Sequence, residues 1–278
     1  MRWQGRGRSS NVQDRRGMRI PGGAMGGGVG LLIAIIASVF FGVDPRAILN
    51  QAPAVQQEPY TPTAADAESK AFVEVILGDT EKTWTDVLSR QGTQYPKPTL
   101  VLFSGAVESA CGMAQSAVGP FYCPNDTQVY LDLSFFQDLA QRFGVPGDFA
   151  QAYVIAHEVG HHVQNVIGTL GEAHKAQGQR SQEEANAIQV RVELQADCFA
   201  GVWAHYAQSQ QDFLEWGDID EGLAAASAIG DDRIQKEAQG YVVPESFTHG
   251  SSEQRVRWFR RGLEGGAIDG CNTFAADA

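Results

Sequence analysis

The spacing of hydrophobic and polar residues changes along the chain, and these changes predict where helices and strands lie. Helical spacing covers residues 67–92, with the pair Gly78 and Asp79 predicting a break inside it. A continuous apolar run at 98–107 and an alternating one at 128–133 each predict a β-strand. Beyond residue 134 the helical period returns. The pattern therefore predicts a helix-rich α+β domain with a small β-sheet.

Capping residues mark several helix starts in the second half of the chain. Asp148 stands in a capping position, and Ser181 is followed three residues later by Glu184, the pattern of a capping box. Ser251 begins another such box. The helices predicted from these signals cover 134–143, 148–167, 181–208, 219–229 and 251–263.

An uncharged apolar stretch near the N-terminus predicts a transmembrane anchor. Residues 25–43 carry no charge and approach the roughly 20 residues that span a bilayer. Six arginines against one aspartate precede it, which predicts a basic cytoplasmic arm over residues 1–24. An extended linker at 44–66 and a domain at 67–278 are predicted to follow outside the cytoplasm. The protein would then cross the cytoplasmic membrane once. A cleaved signal peptide is the alternative.

The rest of the chain is acidic, which limits its partners. Beyond the arginine-rich arm it carries 15 basic and 32 acidic residues, within an overall formal charge of −12. A body with that charge repels phosphate backbones. Nucleic acid is therefore excluded as a partner of the main domain, and the membrane is contacted through the predicted span.

All four cysteines lie beyond the predicted anchor, so the predicted topology puts them in an oxidising compartment. The chain has no C-x-x-C pair, which argues against thiolate zinc or thioredoxin-like chemistry. Four cysteines allow three pairings. The short separation of Cys111 and Cys123 favours that pair, which leaves Cys198 with Cys271. A buried free thiol at Cys198 is the alternative.

Three of the six histidines fall within residues 157–162, and their spacing predicts a metal site. His157 and His161 frame an H-E-x-x-H motif, which on a helix puts both imidazoles on one face, where they can share one Zn²⁺. Glu158 lies about 100° around the helix and can reach a water molecule at the open position of the metal. His162 lies about 100° beyond His161 and is predicted to be a supporting or surface residue.

A catalytic zinc site needs a third protein ligand, and we expect Glu193 to supply it. Glu193 and Asp197 share one face of a helix whose flanking residues are apolar, so both carboxylates are predicted to be buried and to need partners. Asp197 would then accept the spare ring N–H of His157 or His161. The competing third ligands are His174, Glu183, Glu184, His205 and His249.

Three segments of the chain carry a family resemblance. The stretches HEVGHHVQN, ELQADCFAGVW and HGSSEQRVRWFRRG, behind a basic arm and a Gly-rich anchor, closely resemble the bacterial neutral zinc metallopeptidase family. The resemblance covers nearly the whole chain. It implies a zincin-like metallopeptidase domain of the gluzincin kind, with His157, His161 and Glu193 as zinc ligands and Glu158 as the catalytic base.

A looser similarity extends to membrane-bound gluzincins of the prenyl-protein-processing and heat-shock protease type. It rests on the order H-E-x-x-H, then E-x-x-x-D, then His and Arg. It implies that His249 and Arg255 lie near the site, with His249 donating to the developing oxyanion. Those relatives cross the membrane several times, whereas this chain has one predicted span, so membrane-embedded substrates are not implied.

Together these features predict a zinc endopeptidase that acts on a peptide or protein substrate. Zn²⁺ is the expected cofactor, and Glu158 is the expected general base for the zinc-activated water. Two other classes stay open. One is a module with a structural zinc, which would need four protein ligands. The other is an inactive membrane-anchored scaffold that keeps the zinc fold without turnover.

Overall fold

The computed structural model of the protein describes residues 1–18 and 61–275. The predicted transmembrane anchor at 25–43 and most of the predicted linker at 44–66 lie outside the described residues. Within the described ranges, no helix has the length and apolar character needed to cross a membrane.

A four-stranded sheet forms one layer of the molecule, and its strand order is β1-β2-β6-β5. Strands β1, β2 and β6 run parallel, whereas β5 is antiparallel to β6 and forms one edge. A separate hairpin pairs β3 with β4. The strands are β1 Val12–Asp14, β2 Thr99–Phe103, β3 Ala106–Ser109, β4 Gly112–Gln115, β5 Phe121–Cys123 and β6 Gln128–Asp132.

Helices make up the rest of the described fold, as the helical spacing beyond residue 134 predicts. They are α1 Ala64–Ser89, α2 Ser134–Gln141, α3 Asp148–Ile167, α4 Thr169–Gln177, α5 Gln182–Gln211, α6 Asp218–Ala228, α7 Asp231–Gln239 and α8 Ser252–Gly265. Helices α4 and α7 were not predicted, because each is only nine residues long and mostly exposed. The prediction of a helix-rich α+β fold is confirmed.

The side chains of the sheet form two sets on its opposite faces, because successive side chains of a β-strand point in opposite directions. Leu100 and Leu102 of β2 join the main core, which is formed with α1, α3, α5 and α8. Val101 and Phe103 point the other way, into a smaller cluster with Tyr130 beneath the β3–β4 hairpin. The main core thus holds α3 and α5 against each other behind the sheet.

Helix α1 is continuous, so the predicted break at Gly78 and Asp79 is wrong. Gly78 lies inside the helix, and a Cβ there would come within 3.1 Å of the backbone nitrogen of Ser9. Asp79 is buried and accepts a hydrogen bond from Trp203 Nε1 at 2.8 Å. The glycine therefore serves a close backbone contact rather than a turn. The helix also begins at Ala64, three residues before the predicted domain boundary.

Both predicted disulfides are present. Cys111 pairs with Cys123, with the two Cα atoms 5.8 Å apart, and ties the β3–β4 hairpin to β5. Cys198 pairs with Cys271, at a Cα separation of 5.6 Å, and ties the C-terminal tail to α5. The alternative of a free thiol at Cys198 is excluded.

Residues 1–18 lie against the domain, and we call this segment the docked arm. Its strand β1 is an edge strand of the main sheet, and the amino group of Met1 contacts Asp148 at the start of α3. This differs from the predicted arm at 1–24, which would be a separate segment in the cytoplasm. Local sequence patterns do not show such a contact, because the pairing joins segments almost ninety positions apart.

Candidate metal centre

Helix α3 supplies two imidazoles on one face. His157 and His161 are one turn apart, and their ring centroids are separated by 4.8 Å. The helix can lie deep in the protein because Gly160 faces α5 without a side chain; a Cβ there would come within 2.9 Å of the carbonyl oxygen of Ala196. The close approach of the two helices brings the imidazoles within reach of side chains on α5.

Glu193 of α5 meets both imidazoles, as the sequence predicts. Its Oε2 lies 3.2 Å from His157 Nε2 and 3.4 Å from His161 Nε2. Two atoms bound to one tetrahedral zinc ion at about 2.1 Å lie about 3.4 Å apart, so these separations fit a shared ion. Among the described residues the cluster offers three ligand atoms, which matches the donor set of a catalytic zinc site.

Asp197 sets the tautomer of His157. Its Oδ1 accepts the Nδ1–H of His157 at 2.8 Å, so in the neutral imidazole Nε2 is the nitrogen that can bind a metal. Arg255 of α8 binds the same carboxylate through both Nε and Nη2, at 2.8 and 2.9 Å. Tyr153 also donates to Asp197 Oδ1. Sequence reasoning placed Asp197 and Arg255 near the site and missed Tyr153, which lies one turn before His157 on α3.

Two glutamines that sequence reasoning missed support the other ligands. His161 donates its Nδ1–H to Gln164 Oε1 at 2.9 Å, and Gln164 is itself held by the carbonyl of Val192 at 2.7 Å. Gln189 donates to Glu193 Oε1 at 2.8 Å. Each glutamine is on the same helix as the ligand it supports, three or four positions away. Helical spacing from the predicted ligands is the signal that could have found them.

Burial and the neighbouring charges shift the pKa values of the titratable groups in the cluster. Burial lowers the pKa of His157, but the carboxylates of Asp197 and Glu193 outweigh it and raise this pKa to about 9. Burial also lowers the pKa of His161, and Glu193 likewise reverses the effect, so this pKa is raised. Burial raises the pKa of Asp197, yet Arg255 and His157 bring it to about 2.

These shifts predict that metal binding releases protons. A metal ion binds neutral imidazoles, whereas His157 has a pKa of about 9 and the pKa of His161 is raised. At pH 7 the metal-stripped protein should release between about one and two protons per zinc ion, and affinity should rise with pH up to about pH 9. Calorimetric titrations in buffers with different ionisation enthalpies measure this number. Release of less than about half a proton would contradict the prediction, because ordinary histidines near pKa 6.5 would give that result.

Glu158 is placed as a free carboxylate beside the ligand cluster. The residue is 8% exposed, and its side chain lines the cleft in front of the two imidazoles and makes no hydrogen bond to any described residue. Burial raises the pKa of its carboxyl group, which favours uptake of a proton. It therefore suits the role of a base that must accept a proton and release it again.

The cleft in front of these residues has a volume of about 840 Å³. One of its walls is the edge strand β5, where Phe121 and Tyr122 line the cleft. In the described part of the chain, β5 pairs on one side only, with β6. Strand β2 lies inside the sheet, between β1 and β6, and offers no free edge to the cleft.

His249 lies on the cleft wall, on the segment before α8. Its Nδ1 is 3.1 Å from Asp231 Oδ1, while Oδ2 of the same carboxylate accepts the backbone N–H of Thr248, His249 and Gly250. Asp231 therefore holds the imidazole by its Nδ1 side. Sequence reasoning missed Asp231, which begins the short helix α7, eighteen residues before His249.

The third histidine of the motif has another partner. His162 is 1% exposed; its Nε2–H donates to the carbonyl of Pro96 at 2.6 Å, and its Nδ1 accepts from the hydroxyl of Tyr122 at 2.9 Å. It thus joins α3 to the edge strand β5 and is not a ligand. The surface alternative for this residue is wrong.

The competing third ligands lie elsewhere. His174 lines the cleft without joining the cluster, Glu184 caps α5, Glu183 is exposed and His205 binds the carbonyl of Leu263.

Comparison with known proteins places the chain among sequences from several bacteria. The family described as "Putative neutral zinc metallopeptidase" matches residues 1–274. The chain is 48% identical to the uncharacterized protein YpfJ of Escherichia coli K12, covering 99% of both chains. It is 42% identical to the uncharacterized proteins Mb2605 of Mycobacterium bovis and Rv2575 of Mycobacterium tuberculosis, over 86% of this chain and 85% of theirs. No solved structure matches it.

Proposed function

Because the chain belongs to this neutral zinc metallopeptidase family, we propose that it is a zinc-dependent endopeptidase that hydrolyses peptide bonds. The observation that carries the proposal is the position of Glu158, a buried carboxylate without a hydrogen-bond partner in the described residues, beside the His157–His161–Glu193 cluster. A site that served only to hold an ion would have no use for that carboxylate.

The ligand set suits a zinc ion, and the residues around it suit hydrolysis. When bound there, zinc would supply Lewis acidity, activating a water molecule and polarising the scissile carbonyl. Glu158 would take the proton of the attacking water and pass it to the leaving amine. Asp197 and Gln164 would keep His157 and His161 in the tautomers that bind the metal.

The edge strand β5 suits an extended peptide. Its unpaired edge and the cleft-lining side chains of Phe121 and Tyr122 lie on the same wall. A peptide bound there would form main-chain hydrogen bonds with the strand, which favours unfolded or extended substrate segments. The substrate is therefore proposed to be a flexible polypeptide rather than a compact fold.

His249 is proposed to stabilise the oxyanion that forms during attack. When the imidazole is protonated, Asp231 accepts its Nδ1–H, and its Nε2–H is then available to donate into the cleft. The side chain is about half exposed, so its loss should not disturb the fold. We expect His249→Phe to lower kcat by about 10²-fold, with the zinc content and melting temperature unchanged.

The matched control for that variant is His174→Phe. His174 lines the same cleft but contacts no carboxylate among the described residues, so its loss should change kcat little. Steady-state kinetics on an unstructured protein substrate compare the two variants. Equal effects of the two substitutions would show that His249 has no special role.

Metal removal tests the proposed function itself. The protein should contain one zinc ion per chain and cleave an unstructured protein, lose that activity after stripping with a chelator, and regain it with one equivalent of zinc. An inactive scaffold would bind the same ion and cleave nothing. A structural zinc would need a fourth protein ligand, and the cluster has three ligand atoms within the described residues.

A further inference from the structure

The docked arm, residues 1–18, follows the surface of the domain from the start of α3 to the edge of the main sheet. Strand β1 pairs in parallel with β2, with Val12 opposite Leu100 and Asp14 opposite Leu102. The ladder includes Leu100 N–H to Asn11 O at 2.9 Å and Arg15 N–H to Leu102 O at 2.8 Å. These contacts complete the sheet, because without β1 the backbone of β2 would be an exposed edge.

The middle of the docked arm lies on α1. Ser9 donates its backbone N–H to the carbonyl of Glu74 at 2.9 Å and its hydroxyl to Glu81 at 2.6 Å. Asn11 donates to the same Glu81 carboxylate at 2.7 Å. The arm backbone passes directly over Gly78, where a Cβ would come within 3.1 Å of the Ser9 nitrogen and larger side chains would crowd the arm. The surface of α1 is therefore shaped for this segment.

Acidic residues of the domain partner the arginines of the arm. Arg2 pairs with Asp212, and Arg8 lies 3.5 Å from Glu74. Arg16 is buried between Asp14, at 2.7 Å, and Asp66, at 3.3 Å. The rule that basic flanking residues stay in the cytoplasm applies to unpaired positive charges. Arginines paired with carboxylates in this way therefore give little support for a cytoplasmic location of the arm.

The beginning of the arm fills an acidic pocket. The amino group of Met1 lies 3.1 Å from Asp148, 3.2 Å from Glu215 and 3.4 Å from Asp218, with no exposure to solvent. These carboxylates belong to α3, to α6 and to the segment before α6. Without the amino group they would repel one another next to the first residue of the metal-binding helix.

From these contacts we propose that residues 1–18 are an integral part of the fold that carries the candidate metal centre and occupy the same compartment as residues 61–275. A single membrane crossing between the two ranges would separate β1 from β2 and Met1 from α3. The two disulfides of the domain favour an oxidising compartment for both. This replaces the expectation of a cytoplasmic arm, and it does not depend on the proposed peptidase activity.

Thiol labelling of the full-length chain in bacterial cells tests the shared compartment. All four natural cysteines are in disulfides, so one introduced cysteine is the single reactive thiol. Ser10→Cys places it on an exposed position of the arm, and Ser209→Cys on an exposed position of α5. Each is treated with a membrane-impermeant maleimide in intact cells, and its labelling is divided by that in permeabilised cells.

We expect both positions to label from outside to the same extent. Protection of both positions in intact cells would support the shared compartment and would move it to the cytoplasmic side. Labelling of Ser209→Cys with protection of Ser10→Cys, or the reverse, would overturn the proposal.

Limited trypsin digestion of the purified full-length protein tests the docking directly. Gly78→Val should displace the arm, because its Cβ meets Ser9, and should speed cleavage at the arm arginines at least about tenfold relative to the wild type. Gly171→Val is the matched control, since a Cβ at that position of α4 meets nothing within 4 Å. If the wild-type arm is cut as fast as the Gly78→Val arm, the arm is not docked and the proposal fails.

Discussion

Replacing Glu158 with glutamine is expected to lower the rate of peptide hydrolysis by about 10³-fold or more while the protein keeps one zinc ion per chain. The amide has nearly the shape of the carboxylate but cannot take a proton from water. His157, His161 and Glu193 form the ligand cluster without Glu158, so the metal site should be unaffected. Metal analysis and steady-state kinetics on the same preparation measure both effects.

The control for this experiment is Glu183→Gln. Glu183 is an exposed residue in the first turn of α5, and its substitution changes the net charge by the same amount. It should keep the wild-type rate. If Glu158→Gln also cleaves at that rate, Glu158 is not the base; if it loses zinc together with activity, its role is to hold the site rather than to move a proton.

Replacing Arg255 with methionine is expected to cost about 3–5 kcal/mol of unfolding free energy, the largest stability effect that we predict. Arg255 is 2% exposed and makes a bidentate contact with Asp197, which is completely buried. Without the guanidinium, Asp197 would be a buried charge that only Tyr153 and His157 stabilise. Its pKa, now about 2, should rise, and the hydrogen bond that orients His157 should weaken.

Chemical denaturation of the metal-stripped protein measures this loss. Arg257→Met is the matched control, because it removes an exposed arginine from the same helix and should change stability by less than about 0.5 kcal/mol. The double variant Arg255→Met, Asp197→Asn should recover part of the loss, since it removes the stranded charge as well. If Arg255→Met alone lowers the unfolding free energy no more than Arg257→Met does, Asp197 does not depend on Arg255 for its stability.

The sequence predicted the centre of the site well because its geometry is local. His157 and His161 are one helical turn apart, and a helix puts such residues on one face wherever it lies in the fold. Glu193 and Asp197 have the same spacing on a second helix, and their apolar neighbours indicated burial. The sequence did not show whether these two helices pack against each other. They do, because Gly160 has no side chain where α3 meets the backbone of Ala196.

Features that depend on tertiary contacts could not be predicted in this way. A glycine at position 78 is compatible both with a helix break and with close contact to another backbone segment. Only the position of Ser9 in the structure shows that the second explanation holds. Strand β1 is three residues long, and its pairing with β2 is not encoded in its own pattern. Asp231 contacts His249 although a turn and an irregular segment separate them in the chain, so no helical or strand periodicity links the two residues.

The Cys198–Cys271 bridge would make the stability of the site-bearing region depend on redox conditions. The bridge closes a loop of 73 residues that carries His249 and Arg255, and it begins at the residue next to Asp197. By loop-closure entropy such a bridge contributes about 4 kcal/mol, a large share of the roughly 5–15 kcal/mol that stabilises a typical domain. A chain in a reducing environment would therefore hold the segment that carries His249 and Arg255 only by non-covalent contacts. Full rigidity of this segment would come only after oxidation, so reduction of the bridge is expected to loosen the contact between Arg255 and Asp197.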